Sequence, residues 1–133
     1  MFRLGAFAVI FDEAKNVLLQ HRKDVKGWAL PEGIIESKEA PCATCIREVK
    51  EEIGVDVEVS RLVGVYSKPS IDVLVFVFEC QIKSGSFTNS DESDAVSYFP
   101  FNGLPKGMPK FDLQRISDAY SLNQTVFREQ TDE

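Results

Sequence analysis

The chain has one histidine, one tryptophan and three cysteines in 133 residues. A lone histidine, His21, and an odd number of thiols leave too few soft ligands for a zinc centre and no disulfide framework. Cys42-x-x-Cys45 falls inside a helical stretch, not at a strand-to-helix N-terminus, so its thiols read as small buried hydrophobes. No apolar run approaches the length that spans a bilayer. Met1 to Phe11 is apolar but carries Arg3, breaks at Asp12-Glu13 and lacks a cleavage-site pattern, so it does not read as a secretory signal. Basic clusters are missing too. With 21 acidic against 15 basic residues the net charge is −6, which disfavours a nucleic-acid duplex or an anionic membrane as partner. A reducing, cytoplasmic setting is expected. There is no internal repeat and no linker, so one domain over residues 1–133 is expected.

What the chain does have is apolar content, 44% hydrophobic with ten phenylalanines, which suits a packed core. Residues 2–11 read as a strand, 12–16 as a polar turn and 17–21 as its partner strand. Residues 23–28 read as a loop, and Leu30-Pro31-Glu32-Gly33 punctuates the chain again. Residues 39–53 are the best helix candidate, with Pro41 tolerable only in the first turn and Gly54 as the stop. Residues 55–67 alternate as a half-buried strand does. The near-unbroken apolar run at 73–78 suits a central strand covered on both faces. Residues 84–94 are polar and read as flexible, 95–99 as a short strand, and 112–122 as a second helix. Residues 125–133 are polar and expected to fray. This order predicts an α/β or α+β sandwich, helices packed on a mixed sheet.

The first helix carries the chemistry. Glu48, Glu51 and Glu52 are related by i, i+3 and i, i+4 and fall within an arc of roughly 100°. Cys42, Ile46, Val49 and Ile53 lie roughly opposite and are expected to pack on the sheet. Carboxylates so crowded repel unless a multiply charged cation sits among them. Mg²⁺ takes oxygen ligands and commonly bridges carboxylates to substrate phosphates. The patch alone therefore suggests an enzyme handling phosphorylated small molecules. Arg47, four residues before Glu51, is placed to orient it.

The spacing extends outward: Gly33, Glu39, Arg47-Glu48, Glu51-Glu52 and Gly54, with aliphatic residues at Val49 and Val55. Chance would produce this in roughly one chain per million. The pattern is the signature of the Nudix hydrolases, and the sequence resembles that family. Trp28-Ala29-Leu30-Pro31 before the box, and Glu92 ahead of Tyr98-Phe99 and Leu104-Pro105, are similar to its flanking segments. The resemblance implies a Nudix α/β/α sandwich. It also implies Mg²⁺-dependent hydrolysis of a nucleoside diphosphate linked to another moiety, with Mn²⁺ as a substitute metal. By the same resemblance Glu48, Glu51 and Glu52 match metal-ligand positions, and Glu32 matches a position whose backbone carbonyl binds metal. Arg47 matches the orienting arginine, Glu39 a supporting acid, and Gly33 and Gly54 structural positions. The base is left open among Glu51, Glu52 and Glu92. Arg22 is a candidate phosphate contact and Trp28 a candidate base-stacking ring, while Tyr66 and Phe76 read as core. Glu32 stands where many members have glycine, as does Lys38, so loop geometry is expected to differ while activity is kept. A catalytically inactive nucleotide-binding module is the rival reading. Loss of a box glutamate would favour it, and all are present. Substrate identity and oligomeric state are not specified, although homodimers occur in the family.

Overall fold

The apolar run at 73–78 sits where its composition demands, in the middle of a five-stranded sheet covered on both faces. A computed structural model describes residues 1–131. In chain order these form strands β1 (Arg3–Ile10), β2 (Val17–Arg22), β3 (Gly27–Ala29) and β4 (Glu32–Ile34), then helix α1 (Pro41–Ile53). Strands β5 (Val55–Lys68), β6 (Val73–Gly85) and β7 (Ser93–Phe99), helix α2 (Lys110–Ser121) and strand β8 (Val126–Glu129) follow. The large sheet has the order β4-β1-β6-β5-β8, and β3-β2-β7 forms a smaller one. β1 pairs parallel with β6 and β5 parallel with β8, while β4–β1 and β5–β6 are antiparallel. The sheet is therefore mixed.

Side-chain alternation divides the core. From β1, Ala6, Ala8 and Ile10 join Phe78 and Cys80 of β6 against Cys45, Val49 and Ile53 of α1. On the opposite face Val9, Val75 and Val77 pack with Ile116 and Ala119 of α2. A helix thus covers each face, the expected α/β/α sandwich. β5 changes allegiance along its length. Val55 and Val57 face α1, yet Val63, of the same parity, faces α2. The register shift at Val59/Arg61 lies between them and accounts for the inversion at Val63, because a bulged residue inverts the side-chain alternation that follows it. The next shift, at Leu62/Gly64, restores the original alternation, so that Tyr66 faces α2 from an even position.

Several sequence expectations are corrected. β1 and β2 are not hairpin partners: they lie in different sheets and share one isolated bridge, Phe11 to Val17. The 23–34 segment holds two three-residue strands, β3 and β4, whose lengths are below what periodicity can detect. α1 begins at Pro41, two residues later than read. Pro41 occupies the first turn and forces Ala40 into an extended conformation (φ −75°, ψ 149°). Val49 and Ile53 are buried as expected, but Cys42 and Ile46 are exposed, and Thr44, Cys45 and Glu52 are buried in their place. The C-terminal segment does not fray over its described part: β8 adds to the edge of β5, and Gln130 is buried. The last two residues of that expectation, 132–133, lie outside the described residues. Gly54 ends α1 in the left-handed conformation at φ 87°. Lys38 is held at φ 66°, a region that glycine enters more readily.

Candidate active site

α1 meets β4 across Gly33. A Cβ at that glycine would overlap the Glu48 carboxyl carbon, so only hydrogen lets the helix bring Glu48 against the strand. Arg47 ties the neighbourhood together. Its Nε and Nη2 donate to the two oxygens of Glu39 at 2.7 and 2.9 Å, and Nη1 donates to Glu48 at 2.7 Å and to Glu51 at 3.2 Å. The Arg47 bonds and the Thr44 hydroxyl at 2.6 Å hold the Glu39 carboxyl down at about 2.

Glu52 is 3% exposed. Its Oε1 accepts from Gln20 Nε2 at 2.8 Å and from the Glu32 backbone N–H at 3.0 Å. Burial pushes the carboxyls of Glu52 and Glu48 upward, and the charges of their acidic neighbours add to the push. Glu92 arrives from the far side. Its carbonyl accepts from the Lys23 N–H at 2.9 Å, fixing it to the end of β2, and Thr88 of the same segment donates to the Ile53 carbonyl at 3.0 Å. One carboxylate oxygen each from Glu48, Glu52 and Glu92 lies within 4.8 Å of the others. Three hard oxygen donors at that spacing fit a divalent cation such as Mg²⁺ or Mn²⁺.

Other sequence candidates fall around this group. Glu51 is outside it, exposed and turned to Arg47. The Glu32 carboxylate pairs with Arg22 Nη1 at 2.7 Å, and Arg22 also grips Asp24. Trp28 packs edge-on against Phe99 and His21, with centroids at 4.9 and 5.2 Å, so its ring is engaged by protein. His21 Nδ1 lies 2.8 Å from Asp94. Tyr66 is buried as read, with its hydroxyl donating to Asp118 at 2.8 Å. Gln20 was missed by sequence reasoning, although a polar residue closing the run Val17-Leu18-Leu19 was a usable signal. Asp112 and Arg115 were missed as well. They form an i, i+3 pair on the buried side of α2, and burial lifts the Asp112 carboxyl to about 6.

On the other side of β4 lies a pocket of about 320 Å³ lined by β1, β4, β6 and the start of α2. Glu32 and Ile34 face it while Gly33 between them faces Glu48, the alternation of a strand. The pocket and the acidic group are thus separated by one strand.

Solved structures share this sandwich. An ADP-ribose pyrophosphatase from Streptococcus suis superposes with a TM-score of 0.79 at 28% identity, covering 98% of this chain and 100% of that one. A UDP-X diphosphatase gives 0.82 at 23% identity over 96% of this chain and 67% of the other. A NUDIX domain model matches residues 1–119. A MutT-like protein of Streptomyces ambofaciens is 35% identical over 111 residues, 84% of this chain and 72% of its own. An ADP-ribose pyrophosphatase of Methanocaldococcus jannaschii is 35% identical over 118 residues, 84% of this chain and 69% of its own. The chain belongs to the NUDIX family and is a Nudix hydrolase.

Proposed function

We propose that the chain is a Mg²⁺-dependent pyrophosphohydrolase of nucleoside diphosphate derivatives. The observation that carries this reading is the convergence of Glu48, Glu52 and Glu92 within 4.8 Å beside a pocket large enough for an organic group. These three hold the metal, with Mn²⁺ as a substitute. Bound there, a divalent ion neutralises pyrophosphate oxygens and makes water more acidic.

The chain's own residues do the rest. Arg47 clamps Glu48 and Glu39 so that the carboxylates keep their geometry despite mutual repulsion. Gln20 and the Glu32 N–H fix the rotamer of Glu52. Arg22 pairs with Glu32, which lines the pocket, and is placed to exchange that carboxylate for a substrate phosphate. Glu92 is the most exposed member of the group. It takes the proton from the attacking water as the oxygen bonds to phosphorus. The phosphoanhydride bond breaks, giving a nucleoside monophosphate and the phosphorylated second moiety. Glu51 pairs with Arg47 at 3.2 Å and lies outside the group of three. Trp28 shapes the edge of the core beside Arg22, and its engaged ring argues against a stacking role. Three free thiols suit a reducing compartment.

Glu52→Gln keeps an acceptor for Gln20 and Glu32 while removing the charge. Hydrolysis across a nucleotide panel with Mg²⁺ is expected to fall at least about 100-fold, since loss of even a supporting partner costs 10–100-fold. Near-normal turnover in a folded Glu52→Gln protein overturns the reading.

A further inference from the structure

Thr44 carries the only side-chain hydroxyl of α1, and it is buried. A helical threonine ordinarily returns its proton to the carbonyl one turn back. Here that acceptor, the Ala40 carbonyl, lies 3.3 Å from Oγ1, while Oε1 of Glu39 lies at 2.6 Å. A hydroxyl has one proton to give, and the shorter contact has the length of a charge-assisted O–H···O⁻ bond. The proton therefore goes to Glu39. That residue belongs to no helix or strand, and its N–H closes a turn on the Glu36 carbonyl at 3.1 Å. Its Oε1 also accepts from Arg47 Nη2 at 2.9 Å and from the Glu36 N–H at 3.2 Å, and its Oε2 accepts from Arg47 Nε at 2.7 Å. The carboxylate thus grips the guanidinium at two points, which leaves Nη1 turned to Glu48 at 2.7 Å. Besides Arg47, two groups hold Glu39. Glu36 lies in the same turn with its side chain 69% exposed, whereas Thr44 is packed inside the helix one turn before Glu48.

We propose that Thr44 is a positioning residue of the metal site: through Glu39 and Arg47, its hydroxyl sets the place of the Glu48 carboxylate. The planar fork of an arginine turns as a unit, so a carboxylate that fixes Nε and Nη2 also decides where Nη1 points. Thr44 is the rigid end of that chain. Without its hydroxyl, Glu39 loses its shortest bond, the fork turns with the loosened carboxylate, and Glu48 loses its donor on the side away from Gly33. The role rests on the reading of Glu48 as a metal ligand.

The test is calorimetric titration of the whole protein with Mg²⁺. The parent is compared with Thr44→Val, which keeps the shape and loses the hydroxyl, and with Thr44→Ser, which keeps the hydroxyl. Thr44→Val is expected to bind Mg²⁺ about threefold to tenfold more weakly, short of the 10–100-fold that a direct partner of a ligand costs. Thr44→Ser should stay within about twofold of the parent, because the outer partner is still there. Melting curves without metal separate this role from packing: a hydroxyl serving only the fold would lower the melting temperature and leave Mg²⁺ affinity alone. Should Thr44→Val not fold, Thr44→Ala removes the same bond with a smaller side chain, and the same loss is expected of it. In Glu39→Ala the hydroxyl has no carboxylate to hold, so adding Thr44→Val should weaken Mg²⁺ binding by less than about twofold more. Unchanged affinity in a folded Thr44→Val or Thr44→Ala protein, equal losses in the valine and serine variants, or additive losses in the double variant would each overturn the proposal. A parent that binds no Mg²⁺ sinks the metal reading and this role with it. A parent that binds Mg²⁺ no more tightly than Thr44→Val sinks this role alone.

Discussion

Arg47 donates from one guanidinium to Glu39, Glu48, Glu51 and the Ile34 carbonyl, and that concentration makes individual residues testable. Glu39 has a folded-state pKa of about 2, below its ordinary 4.5, because Arg47 and Thr44 donate to it. A depressed carboxyl contributes stability that is complete above the unfolded value and is lost as pH falls from about 4.5 towards 2. Glu39→Gln should therefore be less stable than the parent at pH 7. The gap should narrow through that window in urea unfolding, and a gap independent of pH would contradict the assignment. Gly33→Ala should displace Glu48 and weaken Mg²⁺ binding by about tenfold or more, read by titration, with little change in melting temperature without metal. Spacing made Glu39, Arg47 and Glu48 legible as a set. It did not separate Glu51 from Glu52, adjacent on the helix and both at the border of the acidic arc. Gln20 and the Glu32 N–H, from distant segments, mark Glu52 as the one turned inward.

At the scale of elements, both ends of α1 are fixed by backbone chemistry that the sequence displays: Pro41 opens it and Gly54 closes it. Gly54→Ala would place a side chain on a φ of 87° and into Thr88. A loss of about 1–3 kcal/mol is expected in urea unfolding, together with loosening of the segment that carries Glu92. β8 was hidden because four residues with two charges look like a tail. Their strand character comes from the free edge of β5, not from their own pattern. Removing residues from Thr125 onward would uncover that edge and strip Asp118 of Arg128 and Arg115 of Gln130. The shortened protein should melt well below the parent and associate through the exposed strand, visible in light scattering. The β1–β2 pairing was misread for a related reason, since a short turn usually joins partners and here joins two sheets.

Across the whole molecule, the alternation of β1 and β6 fixes a helix on each face, and so the sandwich was readable from the order of elements. The side-switch along β5 was not, because bulges depend on the partner strand. Mg²⁺ that binds only the folded chain must raise its stability. At a hundred times its dissociation constant the gain is about 2.7 kcal/mol, or on the order of 10 °C in melting temperature. The shift should vanish in a Glu48→Gln/Glu52→Gln double variant. A wild-type protein whose melting ignores Mg²⁺ and Mn²⁺ would argue against a metal among these carboxylates.

β4 is three residues long and forms the partition between two compartments, Glu32 and Ile34 on one side and Gly33 packed against Glu48 on the other. A shared partition restricts inheritance. Variation in β4 that reshapes the pocket disturbs the acidic group at the same stroke, so descendants that change substrate have little room to do it there. The rest of the pocket, from Ile71 to Val75 and from Pro109 to Arg115, carries no such obligation. Divergence in ligand preference among near relatives should concentrate on that side, with residues 32–34 held almost still.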